Sequence, residues 1–168
     1  MLCCWLEKSN CGEVYMDVEI VNPFIEGALH VLKTMASTEA RAGKPYVKVD
    51  RVAKGDVSGV IGLTGEAKGT ISVTFTGECI LDVVSKMFGE EMGELNDEIG
   101  DAVGEISNMI SGHARQELEK RGKSLKAAIP TVVMGKDHTL SHMTHGAVIA
   151  IPFTTDSGNF TIEVCFEE

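Results

Sequence analysis

The chain has 168 residues, 43% of them hydrophobic and 24% charged, which is enough for one sizeable core and does not suggest two independent domains. Its formal net charge of −10 argues against a nucleic-acid partner, because such binding draws most of its affinity from Lys and Arg that neutralise phosphates. No apolar run approaches the roughly 20 residues that span a bilayer, and the apolar part of the first residues is too short for a signal peptide. We therefore expect a cytoplasmic protein that has no membrane partner.

The first residues are rich in cysteine. The chain has an odd number of cysteines, which argues against a disulfide framework, and three of them lie near its start: Cys3, Cys4 and Cys11. Their spacing fits no standard zinc pattern, and their role stays open. We expect residues 1–15 to be a loosely ordered extension and residues 16–168 to form a single domain. Cys79 and Cys165 lie in apolar surroundings and are predicted to be core residues.

Hydrophobic periodicity predicts a pattern of elements that occurs twice along the chain. In the first half, a helix is followed by three strands and a short helix: Asp17–Met35, Tyr46–Ala53, Val57–Thr64, Gly69–Thr76 and a helix from near Gly77 to Phe88. In the second half, a helix is again followed by three strands: Asp97–Arg121, Ala127–Met134, Ala147–Phe153 and Asn159–Phe166. These pseudo-duplicated helix-plus-three-strand units predict an α+β fold with one antiparallel-rich sheet and helices packed on one side.

The helix predicted over Asp97–Arg121 carries the most informative residues. At about 100° per residue, its apolar side chains gather into one core-facing stripe: Ile99, Ala102, Val103, Ile106, Ile110, Ala114 and Leu118. Glu105 and Asn108 fall on the opposite side, about 60° apart, so that both point at the same neighbour. Asp101 lies one turn before Glu105 on the same face.

Two glycines, Gly104 and Gly112, flank Asn108 in this helix. Each costs roughly 0.5–1 kcal/mol relative to Ala, and Asn itself is a mediocre helix former. Glycine on a solvent face lets another molecule approach the helix backbone closely, so we interpret Gly104 and Gly112 as partner-binding positions. An ordinary solvated helix face is the alternative, and the poor helix propensity argues against it.

The pattern Asp101-x3-Glu105-x2-Asn108, followed by Pro130, resembles the active-site helix of the CheC/CheX/FliY family of phosphatases, and the match is closest to CheX. Three further stretches share the resemblance: Gly43-Lys44-Pro45, the glycine-rich Gly59–Gly65 and Pro130–Asp137. The Glu-x2-Asn core alone is short enough to occur by chance. Its combination with the proline and the strand motifs is specific.

The resemblance implies a phosphatase that accelerates hydrolysis of the aspartyl phosphate on a CheY-like receiver domain, which terminates a chemotaxis signal. The receiver would carry its own Mg²⁺, and this chain would bind neither a metal nor a cofactor. Asn108 would orient the attacking water, because a carboxamide accepts a hydrogen bond from water and donates one to phosphate without adding negative charge. Glu105 would dock the receiver's active-site lysine, and Asp101 would add a rim contact. The resemblance also implies a homodimer, formed through strand edges.

The alternative to a phosphatase is a non-catalytic module that binds a response regulator, as relatives of this fold in the flagellar switch do. The presence of both Glu105 and Asn108 favours catalysis, because binding alone does not need a water-orienting amide. The acidic surface would disfavour a phosphoprotein at long range. We therefore expect nearby basic residues to make the binding face less negative: Arg115, Lys120, Lys123 and Lys126.

A second Glu-x2-Asn pattern, Glu19-x2-Asn22, lies in the first half of the chain. Tyr15 stands where the acidic residue four positions earlier would be, and Pro23 follows Asn22 at once. Because proline fits only the first helical turn, Asn22 is predicted to cap the first helix. We expect one site per chain, and a second site at Glu19 and Asn22 stays an open alternative.

Three histidines lie close together in His138-x3-His142-x2-His145, next to Asp137. On a helix, these imidazoles would share one face and could hold Zn²⁺ or Ni²⁺. The surrounding residues are turn-like and flanked by predicted strands. We therefore expect an exposed hairpin connection here and no metal site.

Overall fold

The computed structural model describes residues 18–142 and 145–167. The extension expected over residues 1–15 lies outside the described residues. The elements, in chain order, are α1 (Val18–Ala36), β1 (Arg41–Ala42), β2 (Tyr46–Lys48), β3 (Val57–Gly65), β4 (Gly69–Phe75), α2 (Gly77–Phe88), α3 (Asp97–Lys120), β5 (Leu125–Ala127), β6 (Thr131–Met134), β7 (Val148–Thr154) and β8 (Asn159–Phe166). No helix in this part of the chain has the length and hydropathy to cross a membrane.

The strands of the described chain form one eight-stranded sheet. Its order is β1-β7-β8-β4-β3-β5, and β2 also pairs with β7 while β6 also pairs with β3. Every one of these pairings is antiparallel. The predicted α+β fold with an antiparallel-rich sheet is therefore confirmed.

The two predicted halves are related in the sheet by an approximate two-fold arrangement. Each half contains a hairpin, β3–β4 or β7–β8, and the inner strands β4 and β8 pair from Gly69 opposite Phe166 to Phe75 opposite Phe160. The short strands of each half lie on the hairpin of the other half: β1 and β2 on β7, β5 and β6 on β3. This confirms the duplicated helix-plus-three-strand unit, with the outer strand of each unit formed by two short pieces.

The predicted strand Ala127–Met134 is interrupted in the structure. β5 ends at Ala127 and β6 begins at Thr131, and Pro130 lies between them. Proline has no amide hydrogen to give to a ladder, so regular pairing with β3 stops at this point. Ile129 and Pro130 therefore form a short connection at the sheet edge.

The predicted strand Tyr46–Ala53 is also too long, since β2 ends at Lys48. Beyond β2 the chain leaves β7 and meets a later segment, where Ala53 N donates to His138 O at 2.8 Å. The alternating apolar residues are typical of a strand, but this stretch pairs with a loop of the second half and not with the sheet edge.

The three helices of the described chain share one core with one face of the sheet. α3 packs between α1 and β3 and contacts both. Alternate residues of the central strands point into this core, among them Ile71 and Val73 of β4 and Ile162 and Val164 of β8. The predicted packing of helices on one side of the sheet is confirmed.

Cys79 and Cys165 are both buried, as predicted for core residues. Burial raises the pKa of the Cys79 thiol to about 11, although a hydrogen bond with Thr155 acts in the opposite direction. The thiolate is the reactive form, so at neutral pH Cys79 is present almost entirely as the unreactive thiol.

Candidate functional site

The helix α3 confirms the prediction for Asp97–Arg121, although it ends one residue earlier, at Lys120. Asn96 caps its N terminus, where Asn96 Oδ1 accepts a hydrogen bond from Ile99 N at 3.1 Å. Two acidic residues follow in the first turn, where the helix dipole favours carboxylates. The predicted core-facing stripe is buried in full: Ile99, Ala102, Val103, Ile106, Ile110, Ala114 and Leu118.

A close contact fixes α3 against α1. A Cβ on Gly27 of α1 would lie 3.0 Å from Ile110 O and 3.4 Å from His113 Cβ, so a larger residue would push the helices apart. His30 and His113 stack across the same crossing, with their ring centroids 4.9 Å apart. α1 and the sheet thus hold the buried side of α3, and its opposite side faces outward.

The outward side of α3 carries the predicted residues Asp101, Glu105 and Asn108, all of them exposed. We call these three residues the acid–amide ridge. Glu105 and Asn108 are about 4.5 Å apart along the helix axis. Within residues 18–142 and 145–167, none of the three side chains has a hydrogen bond or an ion pair. A carboxylate and a carboxamide on a rigid helix are therefore available to a second molecule.

The expected exposure is wrong for Gly104, which is buried. It stands about 100° around the helix from Glu105 but only about 40° from Asn108, on the side of β6. A Cβ on Gly104 would lie 3.5 Å from Val132 Cγ2 and 3.9 Å from Pro130 Cγ. Gly112 is half-buried, and a Cβ there would meet only Arg115 Nη2, at 4.0 Å. The surface beside Gly112 is open, whereas Gly104 lets the β5–β6 connection approach α3.

An apolar residue that the sequence analysis did not single out lies beside the ridge. Ile129, in the β5–β6 connection, is 89% exposed. Its neighbour Pro130 packs on α3 at Gly104, so the connection borders the acid–amide ridge. An apolar contact point next to unpaired polar groups suits a protein-contact surface. The sequence signal is weak, because an isoleucine before proline fits the predicted strand equally well.

The predicted capping role of Asn22 is wrong, because α1 already includes Val18. Asn22 lies half-buried inside the helix, and Pro23 follows within it. Pro23 has no amide hydrogen to give to Glu19 O, and Arg121 Nη1 donates to that carbonyl at 3.4 Å. The start of α1 is thus tied to the end of α3.

The histidine-rich segment 137–142 covers the face of the sheet opposite the helices and is not helical. His138 Nε2 lies 2.6 Å from Ser58 Oγ of β3, and His142 Nε2 lies 3.0 Å from Glu163 Oε2 of β8. Leu140, between them, is buried. The expectation of an exposed hairpin is therefore wrong for this segment. Within the described chain, no group of three or more His, Cys, Asp or Glu side chains is placed to hold a metal ion.

Glu163 is the centre of a buried charged cluster on this face, formed with Lys48 and His142. Lys48 Nζ donates to Glu163 Oε1, and it also donates to Val52 O at 2.6 Å. The side chains of Lys48 and Glu163 are only 3% and 4% exposed. Burial opposes ionisation of Glu163, but the hydrogen bonds and charges of His142 and Lys48 outweigh burial and hold the pKa of Glu163 below its ordinary value.

Fold and site together define a class of protein: an α+β domain that presents a carboxylate and a carboxamide on one exposed helix. Residues 57–154, which include β3 and the whole of α3, match the family of the chemotaxis phosphatase CheX. The chain is also 32% identical over 143 residues to the CheY-P phosphatase CheX of Thermotoga maritima, a match that covers 84% of this chain and 91% of that protein. The chain therefore belongs to the chemotaxis phosphatase CheX family. It is accordingly a phosphatase.

Solved structures of relatives have the same fold. The chemotaxis protein CheX from Desulfovibrio desulfuricans is 50% identical, with a TM-score of 0.83 and coverage of 89% of this chain and 99% of that chain. A chain of the CheX–CheY–BeF3–Mg²⁺ complex from Borrelia burgdorferi is 27% identical, with a TM-score of 0.76 and coverage of 89% and 98%. These relatives confirm the family resemblance that the sequence motifs indicate.

Proposed function

We propose that this protein accelerates hydrolysis of the aspartyl phosphate on a CheY-like response-regulator receiver domain. The observation that carries the proposal is the position of Glu105 and Asn108, side by side and unpaired within the described chain, on the exposed ridge of α3. Two relatives support it: the Thermotoga maritima protein is a CheY-P phosphatase, and the Borrelia burgdorferi complex joins CheX to CheY with BeF3 and Mg²⁺. The Mg²⁺ belongs to the receiver in this proposal.

The reaction transfers the phosphoryl group from a carboxylate to water. A water oxygen attacks the phosphorus, the bond from phosphorus to the aspartyl oxygen breaks, and inorganic phosphate and the free carboxylate remain. This step needs little covalent help, but it needs a water held in line with the leaving oxygen. Asn108 orients that water, since its carbonyl oxygen accepts a hydrogen bond from water and its NH2 group donates to a phosphoryl oxygen. The neutral amide adds no repulsion to the anion.

Glu105 docks the receiver. A carboxylate aimed at a phosphoryl group would repel it, so Glu105 pairs with the receiver's active-site lysine beside that group. Asp101, one turn earlier, makes a rim contact that affects the association rate more than the chemistry. Gly112 leaves the surface open, and Ile129 offers an apolar contact. Gly104 acts indirectly, because its small size brings the connection that carries Ile129 close to the ridge.

The experiment follows the decay of receiver domains from the same organism after phosphorylation with acetyl phosphate. Wild type, Asn108→Ala, Glu105→Ala and Glu105→Lys are compared. Affinity for the receiver loaded with beryllofluoride, which stands in for the phosphoryl group, is measured in parallel. Asn108→Ala should slow the accelerated hydrolysis about a hundredfold or more with little change in affinity. The Glu105 variants should weaken the complex itself.

Equal loss of binding in the Asn108 and Glu105 variants would contradict this division of roles. Unchanged decay of every receiver in the presence of the wild-type chain would contradict the proposed reaction. Binding of a receiver without faster decay would instead favour the second candidate, a non-catalytic response-regulator-binding module related to flagellar-switch components. The amide of Asn108 would then have no catalytic role.

We further propose that the protein forms a homodimer through a strand edge. β2 lies at one edge of the sheet, and among the described strands it pairs only with β7. Exposed apolar side chains gather at and after this strand: Tyr46, Val47, Val49 and Val52, with exposed fractions of 38%, 45%, 96% and 42%. Sedimentation at several concentrations tests the dimer, and Val47→Asp should shift it towards monomer. A monomeric mass at every concentration would contradict it.

A receiver partner also implies a cytoplasmic place of action.

A further inference from the structure

The outward side of α3 continues beyond Asn108 at the same spacing. Five residues follow one another at steps of four, three, four and three, which keeps them on one side of the helix: Asp101, Glu105, Asn108, Gly112 and Arg115. Arg115 therefore lies about 10 Å along the helix axis from Asn108. The charges are divided along this line, with carboxylates before the amide and a guanidinium after it.

The guanidinium of Arg115 has no ion-pair partner among the described residues. Within residues 18–142 and 145–167 it forms no ion pair, and its Nε is buried without a hydrogen-bond acceptor. Glu119, one turn later on the same side, is not within ion-pair distance of it. Lys120, by contrast, is paired with Glu117 at 2.6 Å. In a chain with a net charge of −10, Arg115 thus keeps its donors for another molecule.

A groove opens beside Arg115, between the second half of α3 and β5. Its volume is about 200 Å³, and its lining residues are Gly112, Arg115, Gln116, Glu119, Ser124 and Leu125. Gly112 has no side chain, so the groove is open at this position, one turn after Asn108. The guanidinium therefore borders both the groove and the line of site residues.

We propose that Arg115 is a second docking point for the receiver domain and that it binds a receiver carboxylate in this groove. This inference rests on the proposed function, because the occupant is the domain whose phosphoryl group meets Asn108. The planar guanidinium of arginine binds a carboxylate through two parallel hydrogen bonds. With Glu105 pairing a cation on the other side of Asn108, the receiver fits in one direction only. The reversed orientation would bring like charges together.

The test measures the affinity of full-length variants for the beryllofluoride-loaded receiver. Arg115→Glu should raise Kd about tenfold or more and Arg115→Ala about threefold, because a desolvated contact between opposite charges is lost or reversed. Arg115→Lys should keep only part of the affinity, since an ammonium cannot form the two parallel hydrogen bonds of a guanidinium. In turnover assays, Arg115→Ala should raise KM and leave kcat unchanged, because kcat depends on Asn108. Lys86→Glu is the control, because it makes the same charge change at an exposed position of α2.

A Kd for Arg115→Glu no higher than that for Lys86→Glu would overturn the docking role, and the proposed function would stand on its own Asn108→Ala test. If circular dichroism shows that Arg115→Glu does not fold, the Kd values of Arg115→Ala and Arg115→Lys are compared with that of Lys86→Glu instead, and they decide the docking role. Rescue of Arg115→Glu by an acid-to-lysine change in the receiver supports direct contact, and failure of every such change overturns it. A wild-type chain that binds no receiver overturns both proposals.

Discussion

Ser107 of α3 stands directly over Gly59 of β3: a Cβ on Gly59 would lie 3.0 Å from Ser107 Cβ and would overlap Ser107 Oγ. Ser107 is buried, and its hydroxyl donates to Val103 O at 2.7 Å. The serine immediately precedes Asn108 in the helix. This contact between helix and sheet therefore fixes the position of the segment that carries the amide.

Gly59→Ala should destabilise the protein by about 1–3 kcal/mol, because the added methyl group has no space and must push α3 away from the sheet. Urea denaturation measures this loss, and the phosphatase rate should fall as well, since Asn108 moves with Ser107. Gly93→Ala is the matched control, because no atom lies within 4 Å of a Cβ at that position. If the Gly59→Ala variant were as stable and as active as the Gly93→Ala variant, the contact between Ser107 and Gly59 would not fix the position of α3.

Asn108→Ala should make the protein more stable while it removes the activity. Asn disfavours a helix interior relative to Ala, and its exposed side chain has no partner within the described residues, so the free energy of unfolding should rise by about 0.5 kcal/mol. Chemical denaturation of the variant beside wild type checks this. A loss of stability would instead show that Asn108 holds the fold together, and a loss of activity would then need another explanation.

The outward ridge of α3 can be predicted from the sequence because helix periodicity is local. Once apolar residues such as Ile106 and Ile110 define the buried side, Glu105 and Asn108 have to face outward. The burial of Gly104 cannot be predicted in this way. It depends on β6, which its pairing with the distant strand β3 places alongside the helix.

The face of the sheet opposite the helices shows the same limit. The spacing of His138 and His142 is compatible with a metal site or a hairpin, but their partners, Ser58 and Glu163, lie on strands of different halves. Only the completed sheet brings these groups together. Arg115 is likewise one of several basic residues in the sequence, and its unpaired state within the described chain is a property of the fold.

Ile129→Asp should weaken receiver binding without weakening the fold. Since Ile129 is 89% exposed, the free energy of unfolding should change by no more than about 0.5 kcal/mol. Affinity for the beryllofluoride-loaded receiver should fall about tenfold, because a charge replaces an apolar contact beside the ridge. Isothermal titration calorimetry measures the affinity, and Ile129→Leu, which keeps the apolar area, should bind as wild type does. Equal affinities for the two variants would exclude Ile129 from the docking surface.

The buried cluster of Lys48, Glu163 and His142 predicts sensitivity to acid. The folded-state pKa of Glu163 is held below its ordinary value of 4.5, so its ionised form stabilises the folded state. This contribution is fully present above pH 4.5 and is lost as the pH falls through the lower folded-state value. Urea denaturation between neutral and acid pH should show the free energy of unfolding falling in that window.

Glu163→Gln isolates this contribution. It leaves the charge of Lys48 buried with only Val52 O and the more distant Asp50 carboxylate, at 3.8 Å, as partners, at a cost of about 3 kcal/mol at neutral pH. It should also flatten the loss of stability in acid. The double variant Glu163→Gln/Lys48→Met should lose less, because the buried ammonium is removed together with its carboxylate partner. Since the cluster lies on the sheet face opposite the helices, the folded fraction of each variant should keep its phosphatase rate at pH 7. An acid profile of Glu163→Gln identical to that of wild type would show that other carboxyl groups determine the acid stability.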